Sequence, residues 1–421
     1  MAQRDVYLVI GGSGFLGRHI VEALKNRGDT VSVFDIVQRY DDTPFYSGDI
    51  SDEAQVAQAL QKSGATCIIH TASPQHGIED PALYWKVNVE GTKAIIAAAV
   101  ACHVSKLVYT SSAGVTFNGP DIVDGDERLP YPEKPMDAYN DSKAKAEQIV
   151  LEANSKGGLL TVALRPAGIF GPGDRQLLTT TIKVLEEGKA YIQIGDNTNM
   201  FDMTYVGNIA YAHLLAADKL TPPSPKDMDK VMEIFSRPLS PVDATLGRRR
   251  IPTSSARPLG PYVEYPANGE ELLAAWNAPY ESTRPVTRTR FDPFSEVALE
   301  RSKSNPLDVA GQAFYISNGE PVYFWDFMRA IWRLADPETY PSKKSWVLPK
   351  PIGFTLASIL EFLGWVVGKE PSLTRYRITF ASAHRWHNIE KARRVLGYEP
   401  QVGIEEGLRR TMEWWKTQAR S

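Results

Sequence analysis

The chain has 421 residues, with 47 Lys and Arg against 50 Asp and Glu, a net charge of −3 and 43% apolar residues. That balance belongs to a folded globular protein long enough for two domains, and it lacks the broad basic surface that phosphate backbones require, so no nucleic-acid partner is expected. Two cysteines, Cys67 and Cys102, exclude a disulfide framework and suit a reducing compartment.

Val6–Ile10 (VYLVI) is an apolar run bounded by glycine and reads as a central parallel strand. It starts after five residues, MAQRD, so no cleaved signal peptide is expected. The loop GGSGFLG then holds Gly11, Gly14 and Gly17 ahead of a helix whose Ile20, Val21 and Leu24 recur at helical spacing and whose stop is Gly28. Strand, glycine loop and helix together aim backbone N–H groups at one spot, where a dinucleotide's pyrophosphate binds. Gly14 lets the backbone approach it.

The second strand, Thr30–Phe34, ends at Asp35, 18 residues after Gly17, near the distance at which an acid reads the adenosine ribose. A carboxylate there accepts from both ribose hydroxyls and repels a 2′-phosphate, which favours NAD over NADP; Arg39 is the nearest arginine that follows. Gly48-Asp49-Ile50 follow a third strand, with Asp49 in reach of the adenine edge, and Ser51 is expected to cap a helix with Asp52 and Glu53 in its first turn. Cys67–Thr71 reads as the fourth strand. The small residues Thr71, Ala72 and Ser73 at its end let a cofactor lie close, and His70 reads as packed and neutral. Residues 84–101 read as one alanine-rich helix in which Asn88 is expected to face solvent or bond its own backbone. Lys106–Ser112 is the fifth strand, and strand ends in an open parallel sheet face the ligand crevice, so Ser111 and Ser112 are placed for substrate.

Tyr139 and Lys143 then stand four residues apart, on one face of a helix. Oxidation of an alcohol needs a base for the hydroxyl proton, and making phenolate at neutral pH costs about 4 kcal/mol for an ordinary tyrosine. A lysine charge lowers that cost, as does the charge of a nicotinamide, and Ser112 would hydrogen-bond the substrate oxygen.

GGSGFLG, HTAS, VNVEGT, YTSSAGV, YNDSK and RPAGIFGPGD, in that order, resemble the extended short-chain dehydrogenases/reductases over roughly residues 5–215 and again near the C-terminus. Within them the resemblance is to the 3β-hydroxysteroid dehydrogenases, and to the branch that oxidises and decarboxylates 4α-carboxysterols. It implies an α/β fold: a Rossmann-type doubly wound parallel sheet with a smaller, mostly helical C-terminal substrate domain. The division expected is 1–165, with a return to the sheet near 200–218, and 166–421. NAD is the implied cofactor, with Gly11, Gly14 and Gly17 as the phosphate loop, Phe15 and Leu16 within it, and Asp35 on the ribose. Asp49, Ile50, Thr71, Ala72 and Pro166 complete the implied cofactor site, to which Tyr139 and Lys143 also belong. Ser112, Tyr139 and Lys143 are the implied catalytic set, with Asn88 supporting the active-site water and Lys143. Ile10 stands where the family places threonine, so the loop is expected to be braced differently.

Implied partners are a sterol, the cytosolic face of the endoplasmic reticulum membrane as a peripheral contact, other enzymes of sterol C4 demethylation, and a second copy of the chain. Something cationic must hold the carboxylate, and Arg165 and Arg175 are the candidates. A nucleotide-sugar epimerase or reductase shares every cofactor motif but expects a polar pocket. A non-catalytic NAD-sensing protein is disfavoured by the intact Tyr139, Lys143 and Ser112.

Strand Leu159–Leu164 leads into Arg165–Gly173, whose proline and glycine density marks the crossing into the substrate half. Phe201–Val206 with Asn208 resembles a return to the sheet before a helix over Ile209–Ala217. Thr221–Asp308 holds 13 of the 29 prolines, along with Arg248, Arg249 and Arg250, and is expected to be an irregular insertion, either a solvated loop or a basic flap by a membrane or the substrate entrance. Order resumes at Gly311. Pro351–Val367 is the most apolar segment, but its 17 residues include Glu361 and fall short of a bilayer span of about 20. A helix lying in the membrane interface, with Trp365 at headgroup depth, and a buried helix of the substrate domain are its two readings.

Overall fold

The computed structural model describes residues 4–237, 239, 292–338, 345–369, 371 and 373–418. Its central sheet has seven parallel strands: β1 (Val6–Ile10), β2 (Thr30–Asp35), β3 (Phe45–Ser47), β4 (Cys67–His70), β5 (Lys106–Thr110), β6 (Leu160–Pro166) and β7 (Ala313–Ile316), in the order β7-β6-β5-β4-β1-β2-β3. The unbroken apolar character of β1 has a direct cause. Tyr7 and Val9 point into one core and Leu8 and Ile10 into the other, so both faces of the strand are covered. Helices α1 (Phe15–Arg27) and α5 (Val206–Lys219) cover the first face. Helices α2 (Glu53–Ser63), α3 (Gly91–Ala101) and α4 (Ala138–Glu152) cover the second. The strand order reverses between β1 and β4, which opens a crevice above their carboxyl ends.

Several sequence expectations are corrected locally. β4 stops at His70 and β5 at Thr110, where the chain turns up into the crevice. The cap of α2 is Asp52, whose carboxylate accepts from the backbone N–H of Ala54 and Gln55, while Ser51 is occupied by Asp49. The helix expected over 84–101 is split: Trp85–Glu90 winds as a wider π-helical segment before α3. Asn88, expected from its helix to face solvent or bond its own backbone and from the resemblance to support the active site, is buried there.

The return of 200–218 to the main sheet is also corrected. Met203–Tyr205 pairs with Gly168–Phe170, and Met200–Phe201 joins a separate four-stranded sheet with Val322–Tyr323 and Arg385–His387. Asp202, between those two short runs, accepts from the backbone N–H of His387 and holds the chain in this side layer. Only helix α5 comes back to the sheet, and the outermost strand is β7. At the two ends of the proline-rich stretch, helices Met228–Ser236 and Glu296–Arg301 are joined by Phe235 stacked on Phe294, with ring centroids 5.2 Å apart. Arg248, Arg249 and Arg250, and with them the basic-flap reading, lie outside the described residues.

Helix α6 (Lys350–Val367) settles one alternative. Only Gly353 and Ala357 are buried, whereas Phe362 is 62% and Trp365 79% exposed, so it is not a core helix. Its single acid is turned inward: the Glu361 carboxylate accepts from Arg375 Nε at 2.6 Å and from the Arg375 backbone N–H at 2.7 Å, clamping α6 to helix α7 (Arg375–Ser382).

Candidate active site

The glycine loop is sterically dictated. Gly11 has φ +83°, and a Cβ on Gly17 would lie 2.1 Å from the Gly11 carbonyl oxygen, so α1 can pack this close only with glycine there. Gly14 starts α1 without a side-chain cap, which leaves the first amides, those of Phe15, Leu16 and Gly17, without partners inside the helix. Unpaired donors over a side-chain-free cradle fit a pyrophosphate. The brace lost with threonine at position 10 comes from the neighbouring strand end: Thr71 Oγ1 donates to the Ile10 carbonyl at 3.0 Å and lies 3.3 Å from that of Gly11. Ala72 presses on the same glycine, its backbone nitrogen 2.6 Å from where a Gly11 Cβ would stand.

Asp35 ends β2 with its carboxylate held by two amides, Ser13 N–H at 3.0 Å and Ile36 N–H at 2.7 Å, which ties the acid to the loop and leaves lone pairs for ribose hydroxyls. Arg39 reaches back only to the Ser13 carbonyl, at 3.5 Å. The Asp49 carboxylate is engaged by Ser51 and by Lys86 at 2.9 Å, bonds that bring its pKa down to about 2. Ile50 packs its side chain against Gly91, and Pro166 is buried at the end of β6, opposite Ile316.

Asp137 caps α4, accepting from Asn140 N–H at 2.7 Å, and so sets the helix phase that presents Tyr139 in its first turn and Lys143 one turn on. Ser112, just past β5, lies near enough to the Tyr139 phenol to favour its ionised form. The Ser112 Oγ accepts from Gly114 N–H at 3.0 Å. Lys143 Nζ donates to the Thr110 carbonyl at 2.5 Å and sits 4.5 Å from the centre of the Tyr109 ring. Asn88 Nδ2 donates to Ser142 Oγ at 2.9 Å, and that hydroxyl donates to the Tyr139 carbonyl at 2.8 Å. The structure therefore brings Ser112, Tyr139, Lys143 and Asn88 together at the strand ends. Asn88 Oδ1, Ser111 Oγ and Tyr109 Oη are buried there without a protein partner, which suits ordered water.

The electrostatics correct one expectation. Burial pushes the Tyr139 phenol up to about 12, Asp137 adds to the rise, and Ser112 opposes it. Burial lowers Lys143 to about 7, with Glu147 opposing. The same desolvation that brings the two groups together penalises both charges, so the ammonium alone does not make the phenol acidic. His70 is packed and neutral as expected: burial and the nearby Lys143 charge hold it down at about 3.

Arg165 has its charge paired inside the protein, with only Nη1 lacking a partner among the described residues. It lies buried against Glu147, Nη2 to Oε1 at 2.6 Å, with Tyr131 donating to the same oxygen at 2.5 Å. Arg175 is exposed. Sequence reading also missed the walls of the pocket. Tyr139 meets the rings of His76 and Tyr84 edge-on, with centroids 5.0 and 5.6 Å away. Tyr376, on α7, donates to Asp137 Oδ2 at 3.1 Å and stands 3.0 Å from His76 Nε2. The cap at Asp137 was not read from the sequence, although an acid just before the helix is a local signal; nothing local announces a tyrosine 239 residues away.

Comparison with known proteins agrees with this arrangement. The chain is 36% identical, over 98% of its length and 99% of the relative's, to the sterol-4-alpha-carboxylate 3-dehydrogenase, decarboxylating, of Saccharomyces cerevisiae. It is 31% identical to the human protein of that name, over 96% of this chain and 87% of the other. Among solved structures it superposes on the UDP-glucose 4-epimerase of Thermotoga maritima with a TM-score of 0.61 at 17% identity, covering 98% and 99% of the two chains, a likeness of fold. Residues 8–244 match the 3-beta hydroxysteroid dehydrogenase/isomerase family, and with the glycine cradle, Asp35 and the Ser112–Tyr139–Lys143 cluster all in place, the chain belongs to that family.

Proposed function

We propose that the chain oxidises the 3β-hydroxyl of a 4α-carboxysterol to the 3-ketone, with loss of CO₂ and with NAD as cofactor. The observation that carries this is the placing of Tyr139 and Lys143 one turn apart on α4, with Ser112 at the end of β5 near enough to the phenol to favour its ionisation, in a fold whose first strand runs into the glycine cradle. The names of full-length relatives support the substrate. Gly11, Gly14, Phe15, Leu16 and Gly17 hold the pyrophosphate, Asp35 the ribose, Asp49 and Ile50 border the adenine, and Thr71, Ala72 and Pro166 flank the rest. When bound, NAD supplies the hydride acceptor and a positive charge that favours phenolate. Tyr139 takes the hydroxyl proton while Ser112 holds the oxygen. Oxidation leaves a ketone β to the carboxylate. The bond from C4 to the carboxylate then breaks, its electrons enter the C3–C4 enolate, and Tyr139, now neutral, returns its proton to that oxygen. With NAD and a 4α-carboxysterol, NADH and CO₂ are expected in equal amounts; NADH without CO₂, or turnover of a UDP-sugar instead, would contradict the reading.

We further place the chain on the cytosolic surface of the endoplasmic reticulum membrane, with homodimers and the other C4-demethylation enzymes as partners. Helix α6 supports surface contact. It is long and apolar enough by length and composition to cross a bilayer, yet its 18 residues measure about 27 Å against a hydrocarbon core of about 30 Å, and Glu361 ties it to α7. Since α7 also carries Tyr376, a sterol leaving the membrane at α6 arrives at the wall of the active site. Replacing both Phe362 and Trp365 by Glu is expected to lower co-flotation with neutral vesicles by at least about tenfold while leaving NAD binding unchanged. Equal flotation would exclude α6 as the contact.

A further inference from the structure

Among the described residues Arg385 forms no ion pair, and Asp137 acts on it only at a distance. Its guanidinium carbon lies 4.5, 4.4 and 4.0 Å from the ring centres of Phe117, Phe201 and Phe380. Among the described residues its side chain makes no hydrogen bond or ion pair, and its Nε is fully enclosed with no acceptor. Three aromatic faces stabilise the positive charge, but they leave every N–H of the fork unsatisfied. Arg385 is half-buried, and its enclosed Nε without an acceptor is costly; the cost disappears when a planar anion accepts from Nε and a neighbouring Nη.

The surroundings point to where that anion comes from. Phe117 ends the turn that Ser112 begins, so one face of the box is continuous with the group that grips the substrate oxygen. Phe380 stacks on Tyr376, with centroids 6.2 Å apart, and Tyr376 bonds His76 and Asp137 at the edge of the Tyr139 ring. Asp137 is itself committed to Asn140, His76 and Tyr376 and does not pair with Arg385. Of the neighbouring cations, Arg165 has its charge paired with Glu147, and Lys143 donates to the Thr110 carbonyl. Burial lowers the Arg385 pKa to about 10, so it keeps its proton at neutral pH.

We infer that Arg385 is the specificity-determining residue that receives the acid group of the substrate, taking the 4α-carboxylate into its open fork while Tyr139 and Ser112 hold the adjacent C3 oxygen. This rests on the proposed function and supplies the carboxylate partner for which Arg165 and Arg175 were the sequence candidates. The aromatic box suits the role, because it holds the guanidinium plane without competing for its hydrogen bonds, and it borders the apolar ring system of a sterol.

The test compares kcat/KM for a 4α-carboxysterol with that for the same 3β-hydroxysterol carrying a 4α-methyl group, in the wild type, Arg385→Lys and Arg385→Met, with NAD affinity measured alongside by fluorescence. The ratio of acid to neutral substrate is expected to fall on the order of 100-fold in R385M and roughly tenfold in R385K, which keeps the charge but loses the fork. The loss should appear mainly in KM for the acid, with NAD affinity within about twofold. R385K retains charge and most of the volume, so it decides the matter should R385M not fold. An unchanged ratio, or an equal loss on both sterols, overturns the assignment while leaving the dehydrogenase reading intact. A wild-type chain that oxidises neither sterol overturns both.

Discussion

Tyr139→Phe is expected to bind NAD as the wild type does and to lose turnover by about 10²–10⁴-fold, the usual range for removing a positioned general base. Only the oxygen is deleted. The ring stays edge-on to His76 and Tyr84, α4 keeps its Asp137 cap, and the glycine cradle is untouched. Ser112 keeps its bond from the Gly114 amide, so its hydroxyl stays in place. The loss should therefore fall on kcat rather than on the KM for sterol. NADH appearance at saturating sterol, with NAD affinity measured separately, checks this; turnover within tenfold of wild type would remove Tyr139 from the chemistry.

Glu147→Ala should destabilise the fold by about 3–5 kcal/mol, because it strands a buried guanidinium. The pair sits on the sheet side of α4, with Glu147 fully buried and Arg165 nearly so, and Arg165 Nε and Nη2 both reach the carboxylate, at 3.1 and 2.6 Å. Tyr131 adds a third donor to it. Removing the acid leaves those donors facing protein, a penalty water cannot relieve. Replacing both partners by methionine removes the charge with the carboxylate and should recover most of the loss. Urea midpoints of the two variants and the wild type measure this; a Glu147→Ala variant no less stable than the double one would show that Arg165 finds another partner. Since α4 carries Tyr139 two turns and Lys143 one turn before Glu147, this buried pair also anchors that stretch of the helix to β6.

How far each feature could be read in advance depends on the range of the interactions behind it. Gly11, Gly14, Gly17 and Asp35 are local: conformation and close approach act within one strand–loop–helix unit, so their spacing carries the information. Tyr139 and Lys143 are four residues apart on one helix, which is again local. Asn88 went the other way. Its helix and its polarity were legible, but its burial comes from α4, 54 residues on, whose Ser142 takes its hydrogen bond. The segment near 200–218 failed for a similar reason. A run of two or three strand residues carries no mark of which sheet it will join, and Asp202 settles that by bonding His387.

By itself the sequence determined the α/β order, the glycine loop before α1, the acid at the end of β2 and the placing of Tyr139 and Lys143 one turn apart on one helix, because each is written in spacings shorter than one supersecondary unit. Only the tertiary structure decided that Arg165 pairs with Glu147, that Tyr376 bonds His76 and Asp137 beside Tyr139, that α6 lies exposed and that Arg385 lies among three aromatic rings. Charge pairing and desolvation depend on what surrounds a side chain in space, and those neighbours come from chain segments tens to hundreds of residues away.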